Sequence, residues 1–170
     1  MGSQRPTAGR RPPSETPGGA LEPLRIWLLG GFRISVGSYR SIGEDEWRLR
    51  KAGNLIKLLA LARRHRLHRE RAMDLLWPDL DPEAAANNLH HALHVARRTL
   101  EPSSPSGTAS GYLHLGGESL AFSPAVPLWV DVEAFEDAAM SARHAREPAA
   151  FRAAIDLYSG ELLPQDRYEG

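Results

Sequence analysis

The chain has 170 residues, 42% of them hydrophobic, with a formal net charge of +0 and 0 cysteines. Disulfide frameworks and thiolate metal sites are thereby excluded, and the net charge alone points to no partner. No apolar run approaches the ~18 residues of a membrane span and no apolar core follows the N-terminal arginines, so a cytoplasmic protein without membrane contact is expected.

Residues 1–20, MGSQRPTAGRRPPSETPGGA, are rich in Pro, Gly, Ser and Thr and carry almost no large apolar groups. Such a stretch cannot bury enough surface to offset its ordering entropy, so a disordered tail is expected over 1–23. In LRIWLLGGFRISVG, Leu24, Ile26 and Leu28, then Phe32, Ile34 and Val36, alternate with other residues around Gly30-Gly31. This pattern predicts a hairpin, with SYRSIG as a short third strand. Ala52, Leu55, Ile56, Leu59 and Ala62 recur at helical steps and predict a first helix from about Trp47 to Arg64. RERAMDLLWP predicts a short second helix with Ala72, Leu75 and Leu76 inward, stopped at Pro78. Asp81 is a natural N-cap, with Pro82 at the first helical position and Glu83 in the first turn, for a third helix running to about Leu100. A loop follows over 102–111, then YLHLGGESLAF predicts a second hairpin in which Tyr112, Leu115, Leu120 and Phe122 belong to the core. DVEAFEDAAMSARHA and EPAAFRAAIDLYSG form a helical pair joined near Glu147-Pro148, after which ELLPQDRYEG trails off.

The predicted class is therefore α+β: a small N-terminal sheet, three helices, a C-terminal hairpin, then a helical pair. The unit from 24 to 124 has the order of a winged helix-turn-helix, and 125–170 forms a second unit. Charge divides the chain similarly. From Glu46 to Arg71 there are nine basic residues against two acids, whereas from Trp129 onward acids outnumber bases by about two to one.

The third helix is chemically biased. On a wheel of about 100° per residue, Ala85, Leu89, Ala92, Ala96 and Leu100 share one face, with Leu93 beside them. Asn87, His91, His94 and Arg98 form the opposite column, flanked by Asn88, His90 and Arg97. No acid occurs from Asn87 to Leu100, although a solvated helix face normally mixes in Glu. Arg grips guanine and Asn grips adenine through paired hydrogen bonds, and His gains charge beside phosphate. Asn87, Asn88, His90, His91, His94 and Arg98 are thus candidate base readers of double-stranded DNA. Arg48, Arg50, Lys51, Arg69, Arg71 and Arg97 are candidate backbone contacts, which fix register without reading sequence. Glu118 at the tip of the second hairpin opposes a minor-groove role there.

The spacing of His90, His91 and His94 also suits a shared zinc ion, but no cysteine or acid on that face completes a site, and no metal or other cofactor is expected. Ser and Asp are scattered without an orienting His and no phosphate-cradling glycine loop is present, so no enzyme activity is expected. The competing reading is a protein-interaction module that keeps the fold without binding DNA, in line with the zero net charge.

RLRKAGNLIKLLALA, RAMDLLWPDLDPEAAANNLHHALHVARRTLEP and LWVDVEAFEDAA resemble the N-terminal part of SARP-type (Streptomyces antibiotic regulatory protein) transcriptional activators over roughly Leu24 to Arg167. The resemblance implies an OmpR/PhoB-type winged helix followed by a tetratricopeptide-like bacterial transcriptional activator domain. It further implies a homodimer on direct-repeat promoter DNA that recruits RNA polymerase. Family members often carry Arg and Gln where this chain has Asn and His, and Ala86 replaces a frequent Arg. The activator domain holds several helical pairs, so this chain is expected to be a piece of a longer regulator.

Overall fold

A computed structural model of the chain describes residues 21–104 and 110–166. Residues 1–20 of the expected tail, 105–109 of the expected loop, and 167–170 lie outside the described residues.

Alternation builds the first sheet. β1 (Leu24–Trp27), β2 (Arg33–Val36) and β3 (Arg40–Gly43) run antiparallel, with Ile26 opposite Ile34 and Ile34 opposite Ile42. All three isoleucines are buried, which fixes the register because a one-residue slip would expose them. Gly30 turns the chain between β1 and β2 at φ +80°, and a Cβ there would meet the Ser159 carbonyl oxygen at 2.8 Å. The position therefore demands glycine both for its backbone angle and for its neighbour.

Three helices cover the inner face. α1 (Arg50–Leu61) is shorter at both ends than the apolar period suggests. Leu49 and Ala62 are extended, and Arg64 and His65 adopt positive φ to turn the chain into β4 (Arg66–His68). α2 (Arg69–Leu76) buries Ala72 and Leu76, one turn apart. Leu75, expected inward, is 44% exposed, since an eight-residue helix resting on an i, i+4 pair leaves the adjacent position pointing outward. α3 (Pro82–Leu100) follows Asp81 as expected, and the Asp81 carboxylate accepts from the Glu83 and Ala84 amides at 3.1 and 3.0 Å. β5 (Leu113–Gly116) and β6 (Ser119–Phe122) form the second hairpin, and β4 joins its other edge to give the order β4-β6-β5. Tyr112, Leu120 and Phe122 are buried and Leu115 packs at the edge of the same core.

β7 (Leu128–Val130) lies beside β1 in parallel, so the segment just after 124 supplies the fourth strand of the first sheet, ordered β3-β2-β1-β7. α4 (Asp131–Ala145) and α5 (Pro148–Leu157) pack together through buried Ala142 and Ala154 and through Phe135 against Tyr158 at 5.6 Å. The stretch after α5, expected to trail off, folds back instead. Leu163 donates to the Leu28 carbonyl at 2.8 Å and Gly30 donates to that of Glu161 at 2.7 Å.

Charge completes this seam. Asp131 is 1% exposed and accepts from the Leu28 and Leu29 amides at 2.9–3.0 Å. Lys57 is 4% exposed, donates to Glu44 Oε1 at 2.6 Å and to Asp166 at 3.0 and 3.1 Å, and stands over the Phe32 ring. Each buried charge has opposite or dipolar partners, the condition under which burial is tolerated.

Candidate nucleic-acid interface

The candidate surface is built on α3, whose two faces are sharply unlike. Ala85, Leu89, Ala92, Leu93, Ala96 and Leu100 are buried. Burying each leucine stabilises the helix on the core by about 2 kcal/mol. Asn87, Asn88, His90, His91, His94 and Arg98 are all exposed. The column inferred from the wheel is therefore a solvent-facing surface on a rigid element.

The two arginines near its C-terminal end divide. Arg98 donates to the Ser104 carbonyl at 2.8 Å while remaining exposed. Arg97, expected among the backbone contacts, is half-buried and donates from Nη2 to the Leu113 carbonyl at 3.3 Å, so it braces α3 against β5. Burial lowers the Arg97 pKa from its ordinary value, and the charge of nearby Glu101 opposes that shift.

A cleft of 440 Å³ gathers His94 and Arg98 with Arg48, Arg40 and Glu46. Arg48 is exposed just before α1, so one candidate backbone contact borders two candidate base readers. Arg40 was not singled out from the sequence, and nothing in a strand pattern marks it. It reaches across to the Leu100 carbonyl at 3.1 Å and pins the end of α3 to β3. Arg50 opens α1 and is exposed, and Lys51 beside it is half-buried. Cations at a helix start are unfavourable for the helix itself, which leaves that end disposed towards external anions.

At the other end of the basic segment, the Arg69 amide donates to the Glu118 carbonyl at 2.8 Å. The Arg69 Nε lies 3.8 Å from the Glu118 carboxylate. The acid at the hairpin tip therefore faces a cation of its own chain. Arg71 is exposed on α2 and makes no hydrogen bond or ion pair among the described residues.

Among the described residues, no group of three or more His, Cys, Asp or Glu side chains is placed to hold a metal ion. None of the helices among them is long and apolar enough to cross a membrane.

No family model matches the chain, and no curated protein matches it in sequence. Among solved structures it is similar to Mycobacterium tuberculosis EmbR, determined in complex with a low affinity phosphopeptide. That likeness has a TM-score of 0.63 at 16% identity and covers 86% of this chain. The chain spans 38% of the length of that protein, and what the two share is an α+β fold.

Proposed function

We propose that the chain is a sequence-specific, DNA-binding transcription regulator of SARP type. In this reading residues 24–124 form a winged helix-turn-helix, with α3 in the major groove and the β5–β6 hairpin as the wing. The segment from 125 begins a tetratricopeptide-like activator domain. The observation that carries it is the exposed face of α3, where six hydrogen-bonding side chains stand with no acid from Asn87 to Leu100. An acid there would be repelled by phosphate, while Asn, His and Arg match base edges. Arg48, Arg50, Lys51, Arg69 and Arg71 supply the sequence-independent part of the affinity. The resemblance to SARP-type activators extends the reading to a homodimer on direct repeats, recruiting RNA polymerase in a bacterial cytoplasm.

The test is fluorescence anisotropy with a random-sequence duplex pool across a salt series, followed by selection of the bound fraction. The expected result is an enriched repeat and an affinity that falls steeply with salt. The double variant His94→Glu/Arg98→Glu should lose about 100-fold or more in affinity while keeping its fold. Unchanged binding by that variant, or no binding by the parent chain at low salt, overturns the reading.

A further inference from the structure

The outer face of the first sheet carries a second chemical surface, turned away from the helices. The inward residues of its strands, Leu24, Ile26, Ile34, Val36, Ile42 and Val130, are all buried. Alternation therefore sends Arg25, Trp27, Arg33, Ser35, Ser41 and Trp129 outward. Register sorts these six into two rows. Ser41, Ser35, Arg25 and Trp129 lie side by side across β3, β2, β1 and β7, and Arg33 lies beside Trp27 in the next row.

The cations and the indoles are interleaved and in contact. The Arg33 guanidinium sits 3.9 Å from the centroid of Trp27, and that of Arg25 lies 5.4 Å from the centroid of Trp129. The two indoles meet at 5.5 Å with their planes 60° apart. Neither arginine makes a hydrogen bond or an ion pair among the described residues, and both are exposed. No outward position on the four strands is acidic. Glu44 borders the same cleft as Trp27 and Arg33, but Lys57 engages its carboxylate.

We infer that this face is a docking surface for an acidic segment of a partner protein. A guanidinium stacked on an indole has its planar fork pre-oriented, so a carboxylate meets two aligned N–H donors at little further cost in side-chain entropy. Tryptophan and arginine are also the residue types that dominate protein–protein binding energy. Other occupants fit less well. Single-stranded nucleic acid stacks its bases on bare aromatic faces, whereas here each indole carries a guanidinium and the two rings are tilted. A second copy of the chain, paired through this same patch by a two-fold axis, would bring together two arginine-bearing faces with no acid on either set of strands.

The test uses the chain as it stands and a short peptide of alternating Glu and Ala, with the Gln-for-Glu peptide as control. Binding is followed by the indole N–H resonances of the four tryptophans. The expected result is that the Glu peptide shifts Trp27 and Trp129 and leaves buried Trp47 and Trp77, at the end of α2, unmoved. The double variant Arg25→Gln/Arg33→Gln should weaken that binding about tenfold or more. Arg25→Lys/Arg33→Lys keeps the charge without the planar fork and should fall between. Four results overturn the inference. The first is that the Glu peptide leaves all four resonances in place, the second that the Gln peptide binds equally well, and the third that the Gln variant binds unchanged. The fourth is that oligothymidylate, duplex DNA or self-association shifts Trp27 and Trp129 more strongly than the peptide does.

Discussion

The exposed face of α3 and the seam that joins α4 to the first sheet both gather polar and charged side chains, and they treat them in opposite ways. On α3, His90, His91, His94 and Arg98 stand in solvent within a stretch, Asn87 to Leu100, that holds no acid. At the seam, Lys57 and Asp131 are removed from solvent and fully engaged: the cation sees two carboxylates, the anion sees two backbone amides. Polar side chains that stand in solvent, Arg98 among them with only a carbonyl contact, remain available to an external partner. A buried charge with partners is committed to architecture, and its removal strands whatever it was satisfying.

This contrast is broken most strongly at Asp131. Asp131→Ala should cost about 3 kcal/mol in denaturant unfolding, because it leaves the buried Leu28 and Leu29 amides without an acceptor. Asp131→Asn keeps one acceptor oxygen and should cost about half as much. Neither should change affinity for duplex DNA at temperatures where the variant is folded. A loss of affinity would show that the two regions are coupled. The next effect is smaller and lies on α3 itself. Asp81→Ala removes the cap on the Glu83 and Ala84 amides and should destabilise the chain by about 1 kcal/mol. The smallest effect is at the hairpin tip. Glu118→Gln removes an exposed partner 3.8 Å from Arg69 and should leave stability within about 0.5 kcal/mol of the parent. By releasing a cation it should raise DNA affinity about two- to threefold at low salt.

The same contrast explains what was legible in the sequence. Asp81-Pro82 and the leucine stripe are local signals, and α3 appears in the structure with the expected bounds and faces. The strands β4 and β7 escaped because each is three residues long and exists only through a distant partner. Arg66–His68 pairs with Ser119–Ala121, and Leu128–Val130 pairs with Leu24–Ile26. Arg97 and Arg98 are identical in type and adjacent in sequence. The wheel sets Arg97 only at the flank of the column, and the β5 carbonyl, which no local pattern reveals, draws it against the core while Arg98 faces solvent. Asp131 lies within LWVDVEAFE, where it serves equally well as the acidic first turn of a helix, and its burial under β1 leaves no mark in that pattern.

The seam also has a mechanical meaning. The helical pair hangs from no free tether: β7 is stitched into the first sheet, Asp131 holds the end of β1, and the returning strand segment at Leu162 closes on Leu29. The α4–α5 pair and α3 thus keep a set bearing to each other, as a compass needle keeps to its card. With α3 seated in a duplex as proposed, whose major groove comes round about every 10.5 base pairs, that bearing becomes a phase. Moving a bound site by half a turn would swing the helical pair to the far side of the DNA, and moving it by a whole turn would bring it back.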